Sequence, residues 1–165
     1  MPLSPLRCVK VTGALCVSII KKLREYVQVT GIYNGMHFNT RLEAAWAAFF
    51  DLAGWEWWRS PANVEDWRPD FKVTFQCGHS ECGGSHTLLI SVLPVESLNE
   101  LSGHPALSYQ FTVPNTDADG GALFGSHPAA TQWVIAHGAG GGAEDVYFRV
   151  DNADELWRQA LTKVQ

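Results

Sequence analysis

The chain reads as a mixed α/β protein of the α+β kind, a central mixed β-sheet flanked by helices. Three observations lead there. "TRLEAAWAAFFDLA" (40–53) places its large apolar residues at helical spacing. "DFKVTF" (70–75) and "TLLISVL" (87–93) are short stretches of strand composition, the first alternating with period two. "DNADELWRQALTKV" (151–164) closes the chain as a second amphipathic helix with a polar cap at Asp151 or Asn152. Helix and strand patterns therefore interleave along 165 residues, a length suited to one sizeable core.

Taken in order, residues 7–29 are ambiguous: "RCVKVTG" fits a strand, and "ALCVSIIKKLREYV" fits either type. Residues 1–30 are read as an N-terminal extension and 31–165 as one domain. In the first helix Leu42, Trp46, Phe49 and Phe50 share a face, and Gly54 ends it. These aromatics are expected to pack on the sheet formed by 70–76 and 87–93. "WEWWRS" is a candidate strand. The two strands at 70–75 and 87–93 read as a hairpin closed by an eleven-residue loop, 76–86. "VESLNEL" is a short helix candidate. "ALSYQFTV" (106–113), "ATQWVIAH" (130–137) and "DVYFRV" (145–150) read as further strands. "HGAGGGAED" (137–145) lacks the lysine of a phosphate-binding loop and reads as a flexible connection between two strands.

Composition limits the function. Hydrophobic residues make up 46% and charged residues 18%, a globular balance. No apolar run reaches the ~18 residues of a membrane span. "CVKVTGALCVSIIKK" has charges on both sides of a short apolar part, unlike a signal peptide, so a cytoplasmic protein is expected. The net charge of −5 argues against a general grip on bare duplex and favours a protein partner.

Two constellations carry chemistry. Cys77, His79, Cys82 and His86 form a C-x-H-x₂-C-x₃-H pattern among Gly78, Gly83 and Gly84. Two thiolates and two imidazoles suit a tetrahedral, structural Zn²⁺, and the glycines allow the loop to fold back. An ordinary Gly/Ser loop with incidental Cys and His is the competing reading. The second constellation is Glu43 with Asp70, two carboxylates able to serve a hard cation such as Mg²⁺. Thr40-x-x-Glu43 is also a capping box, which needs no metal.

The stretches "FNTRLEAAWAAFFDLAGWEWW", "RPDF" and "LLISVLP" resemble the PD-(D/E)XK, or restriction-endonuclease-like, superfamily, in particular small proteins found on phages and other mobile elements. Those read S/T-R-L-E-A-x-W-A-x-F-F-D, then P-D-F, then a strand ending E-V-K-P. The resemblance covers about residue 33 to the C-terminus, including "GHSECGGSH", "GHP" (103–105), "ALFG" (122–125) and "HGAGGG". It implies a restriction-endonuclease-like core in which the helical acid, the Asp of P-D and the Glu of E-x-K hold metal, and the Lys steadies charge. Glu43 and Asp70 match the first two. Pro94 aligns with the proline after the lysine, which puts Ser91 at the glutamate position and Leu93 at the lysine position. A hydroxyl and an isobutyl group replace a ligand and a cation.

The resemblance therefore implies a nuclease fold without its chemistry. The expected function is binding: to a host protein such as a defence complex, as an inhibitor would, or to nucleic acid. Two alternatives stand beside it. One is an active nuclease with a shifted site of Glu43, Asp70 and Lys72 around Mg²⁺. The other is a zinc-stabilised structural or assembly module.

Overall fold

The computed structural model describes residues 30–165. The ambiguous 7–29 segment, with Cys8 and Cys16, lies outside the described residues. Eight strands and three α-helices follow in order. A small hairpin comes first, β1 (Gly31–Tyr33) and β2 (Met36–Phe38), turning on Asn34 and Gly35 at φ 50° and 76°. Two positive φ values match the twist of a two-residue hairpin turn. Helix α1 (Arg41–Ala53) follows, then β3 (Glu56–Arg59), β4 (Phe71–Gln76), β5 (Ser85–Val92), β6 (Gly120–Phe124), β7 (Thr131–His137) and β8 (Gly140–Glu144). Helices α2 (Val146–Arg149) and α3 (Ala153–Lys163) end the chain. The six later strands form one sheet in the order β3-β4-β5-β6-β7-β8, with β5–β6 parallel and the other pairs antiparallel. The mixed sheet expected from the sequence is thus present.

Helix α1 begins and ends where its sequence says it should. Thr40 Oγ1 accepts from the Glu43 N–H at 3.0 Å, and Glu43 Oε2 accepts from the Asn39 N–H at 3.2 Å. Gly54 closes the helix in the left-handed conformation, φ 71°. Trp46, Phe49 and Phe50 are fully buried. Phe50 meets Phe71 of β4 and Phe124 of β6 at 5.5 and 5.7 Å between ring centroids, and Trp46 meets Trp157 of α3 at 4.4 Å. The sheet face carrying Phe71, Val73, Phe75, Leu88, Ile90, Phe124, Trp133 and Ile135 receives both long helices. Its other face is covered by no long helix among the described residues. A smaller cluster of Val64, Trp67, Leu89, Ala106, Val113, Ala118 and Leu123 closes it from irregular chain and 3₁₀ turns.

Four assignments differ from the sequence reading. The "VESLNEL" helix is one 3₁₀ turn, Leu98–Leu101. The strand expected at 106–113 is instead a 3₁₀ turn, Pro105–Ser108, followed by irregular chain; Pro105 starts it and His104 Nδ1 accepts from the Ala106 N–H. The strand expected at 145–150 is α2, because Asp145 turns its carboxylate onto the Phe148 N–H at 3.0 Å and caps a helical turn. The Gly-rich connection after His137 is β8, paired along its length with β7. Strand β6 lacked a period-two signal because it opens on Gly120 and Gly121. A Cβ on Gly121 would lie 2.2 Å from the carbonyl oxygen of Ala106, so the chain covering that face requires glycine there.

Burying one large aromatic contributes on the order of 2–3 kcal/mol by area. Phe50→Ala, cavity included, should cost about 3–5 kcal/mol. The measurement is the urea midpoint at constant m-value; a loss under about 1 kcal/mol would contradict the packing of α1 on the sheet.

Candidate metal centre

Strand β6 begins late. Its first residue, Gly120, pairs with Leu88, so β5 extends back past it through His86. On the other side β7 runs on past Ile135 to His137. A notch is left between β5 and β7 at this end of the sheet. Alternation puts His86 on the helix-bearing face with Leu88 and Ile90, and His137 on the same face with Trp133 and Ile135. The two imidazoles meet across the notch, nearly perpendicular, with centroids 4.7 Å apart.

The β4–β5 loop brings the sulfurs to them. Because the hairpin is longer than its alternation suggested, the loop is only residues 77–84. It is held by the Cys77 N–H on the Gly84 carbonyl at 2.9 Å and the Cys82 N–H on the His79 carbonyl at 3.1 Å. The ligating atoms of Cys77, Cys82, His86 and His137 all lie within 4.8 Å of one another. His137 Nδ1 is 3.6 Å from Cys77 Sγ, 3.2 Å from Cys82 Sγ and 3.3 Å from His86 Nε2. Ordinary Zn–N and Zn–S lengths in a tetrahedron place two nitrogens about 3.3 Å apart and a nitrogen and a sulfur about 3.6 Å apart. The cluster can therefore hold a metal such as zinc.

His79, the fourth member of the sequence pattern, is not in this set. It is exposed, and its Nδ1 accepts from the Glu81 N–H at 3.3 Å inside the turn. Its ring stands 5.6 Å from that of His137. The substitution of His137 for His79 follows from topology: a strand 51 residues after His86 returns to the same notch. The sequence held one signal for it, a histidine at the end of a predicted strand, in phase with the apolar Trp133 and Ile135.

The surroundings of the cluster are polar and satisfied. His137 Nε2 is 2.6 Å from Glu144 Oε1, and His86 Nδ1 is 3.2 Å from Asp119 Oδ2. Arg149, delivered by α2, donates to both oxygens of Glu144 at 2.7 and 2.8 Å. Burial pushes the Cys77 thiol up, but the His79 N–H, Cys82, Arg149 and His86 outweigh it and hold it below the usual thiol range. Cys82 shifts the other way, raised by burial and by Cys77 beside it. Of the two adjacent thiols, Cys77 is the one poised to ionise.

The remaining sequence-derived positions lie at the opposite end of the β4–β5 hairpin. Asp70 precedes β4 and Cys77 follows it, which separates them by about 20 Å of strand. Glu43 and Asp70 do come together. Burial raises Glu43, and the Asp70 charge raises it further, against the Asn39 N–H and Arg59. Asp70 is raised by burial against one donor, the Val92 N–H at 2.8 Å. Glu43 also completes its capping box, so the competing readings of this residue coexist. Ser91 points to the other, smaller cluster, where it is buried and its Oγ accepts from the Trp67 indole N–H at 2.8 Å. Leu93 packs against the same cluster. Lys72 turns to Asp117 at 2.6 Å and lies 5.6 Å from the Trp58 ring.

Two outcomes are expected. In a metal titration followed by elemental analysis, His137→Ala should lose the ion and His79→Ala should retain it. Retention by the first and loss by the second would reverse the assignment. Glu43 and Asp70 carry raised folded-state pKa values, so their ionisation weighs against the folded state as the pH rises. Glu43→Gln keeps an acceptor for the Asn39 N–H and removes that charge. It should unfold at higher urea than the wild type at pH 7, and the advantage should shrink as the pH falls below the carboxylate range. An advantage independent of pH would show that charge is not its cause.

No family model, no curated protein and no solved structure matches the chain.

Proposed function

We propose that the chain is a catalytically silent protein of the PD-(D/E)XK type that acts by binding a protein partner, with one structural Zn²⁺ holding its sheet. The observation that carries this reading is Ser91. At the position of the family's metal-binding glutamate, its hydroxyl is buried under Trp67, and Leu93 beside it is packed in the same apolar cluster. A hydroxyl already engaged by an indole N–H is a poor ligand for a hard cation. Lys72, the basic residue the sequence offered as a stand-in for the lost lysine, pairs with Asp117 at 2.6 Å. Glu43 and Asp70 are left as two carboxylates without a third acid or a lysine.

Charge and surface favour a protein as the partner. Residues 30–165 hold seven Lys and Arg against sixteen Asp and Glu, a formal charge of −9. That excess repels a phosphate backbone and attracts a cationic protein surface. Strand β3 is an edge of the sheet, and a groove of about 470 Å³ along it is lined by Met36, Trp55, Trp57 and Trp58 with Asp51 and Glu56. Trp and Met are enriched at interface centres, and the carboxylates beside them suit a polar rim. A complex of a host's DNA-targeting defence is one such partner. The zinc ion, bound by two thiolates and two imidazoles, is neutralised and has no open position for chemistry.

The test combines two measurements on the full chain. Incubated with plasmid, single-stranded DNA and RNA in Mg²⁺ or Mn²⁺, it should leave all three intact, and Asp70→Ala should behave identically. Cleavage that disappears with EDTA and in Asp70→Ala would overturn the silent reading. Roughly one equivalent of zinc should copurify and resist dialysis, as one structural site requires. Zinc-free protein whose Cys77 and Cys82 react freely with a thiol reagent when folded would remove the ion from it.

A further inference from the structure

We propose that the centre is oriented by two carboxylates held with unequal firmness, so that His137 binds the metal through Nδ1 and His86 through Nε2. Glu144 is the dominant positioning residue and Asp119 the weaker one. This rests on the zinc reading above and goes beyond it, since it assigns the atom each imidazole uses and the groups that enforce the choice.

The two histidines present different nitrogens to the notch. His137 turns Nδ1 toward the two sulfurs and His86, at 3.2–3.6 Å. Its Nε2 faces Glu144 Oε1 at 2.6 Å and is walled off from an ion; Arg149 Nη2, a donor 2.7 Å from that nitrogen, also has Glu144 Oε1 at 2.7 Å and turns wholly to it when Nε2 carries the proton. His86 is turned the other way: Nε2 faces His137, and Nδ1 faces Asp119 Oδ2 at 3.2 Å. A carboxylate keeps the proton of each ring on the far nitrogen and leaves the near lone pair free for the ion.

The carboxylates differ in how firmly they are held. Glu144 is 4% exposed, and both of its oxygens are doubly engaged. Oε1 accepts from His137 and Arg149, and Oε2 accepts from Arg149 Nε at 2.8 Å and the Trp133 indole at 3.1 Å. Arg149 also reaches Cys77 Sγ at 3.8 Å and lies over the Phe75 ring at 5.1 Å. One guanidinium thus neutralises the buried Glu144 and leans on a ligand sulfur. Asp119 is 42% exposed and steadied by a single further donor, the Thr87 N–H at 2.8 Å. The pair of supports also explains the short α2 helix: it is the turn that carries Arg149 back to the notch.

The experiment loads the full chain with Zn²⁺ and reads the imidazoles by long-range ¹H–¹⁵N correlation. The expected spectrum has His137 protonated on Nε2 and His86 protonated on Nδ1. The ¹H–¹⁵N pattern of the opposite tautomers, or a zinc-shifted His79, overturns the proposal while leaving the zinc reading intact. A wild-type chain that takes up no zinc sinks both. Competition with a chromophoric chelator supplies the second readout. Glu144→Ala should weaken zinc by about 10–100-fold, the usual cost of a lost outer partner. Asp119→Ala should cost less, and Asp119→Asn should restore most of that loss, because its amide oxygen still accepts from His86 Nδ1–H. If Glu144→Ala fails to fold, the Asp119 pair decides: equal zinc affinity in the Ala, Asn and wild-type chains contradicts an orienting carboxylate.

Discussion

In the parallel ladder of β5 and β6, Leu88 pairs with Gly120 and Val92 with Phe124, and much of the molecule hangs on that short pairing. Parallel strands need a long crossover, and here residues 93–119 supply it by passing over the second face of the sheet. The crossover lies so close that Ala106 leaves no room for a side chain at Gly121. At the far end of β6, the Gly125 carbonyl accepts the buried Trp46 indole N–H at 2.9 Å, which ties α1 to the same strand. At the near end, the strand's late start opens the notch in which the Cys and His side chains converge. A longer β6 would fill that notch with backbone.

The β4–β5 hairpin then has two polar ends of different character. One end holds Glu43, buried, and Asp70, half-buried, both raised above their ordinary range. Such a pair costs stability at neutral pH unless another interaction offsets it. The capping of α1 by Glu43 and the anchoring of β5 by Asp70 through the Val92 N–H are two such interactions. The other end holds soft ligands already ringed by donors and carboxylates. An ion there would tie the β4–β5 hairpin to the β7–β8 hairpin, two segments that share no ladder. The binding free energy of a structural zinc is folding free energy, so a bound ion would give the hairpins a link where the sheet itself has a gap.

The second apolar cluster encloses positions 91 and 93. Here Trp67, stacked on Tyr109 at 5.5 Å, reaches over Ser91, and Leu93 joins the cluster. The crossover closes on this strand face by apolar packing.

Much of the fold was legible along the chain. The α1 helix with its Thr40 cap and Gly54 stop, the β4–β5 hairpin, β7 and α3 rest on interactions within a few residues, or on a face pattern that any core would require. Cys77, Cys82 and His86 were legible as candidate ligands for the same reason, since a ten-residue pattern of soft donors is local. What the sequence could not carry is what depends on strands meeting at a distance. Strand β6 is glycine-rich because another segment lies on it, and α2 replaces a strand because one carboxylate caps it. His137 displaces His79 because parallel pairing and a late start bring the end of β7 to the loop. Local spacing ranks His79 above His137; only the register of β5, β6 and β7 decides which imidazole points into the notch.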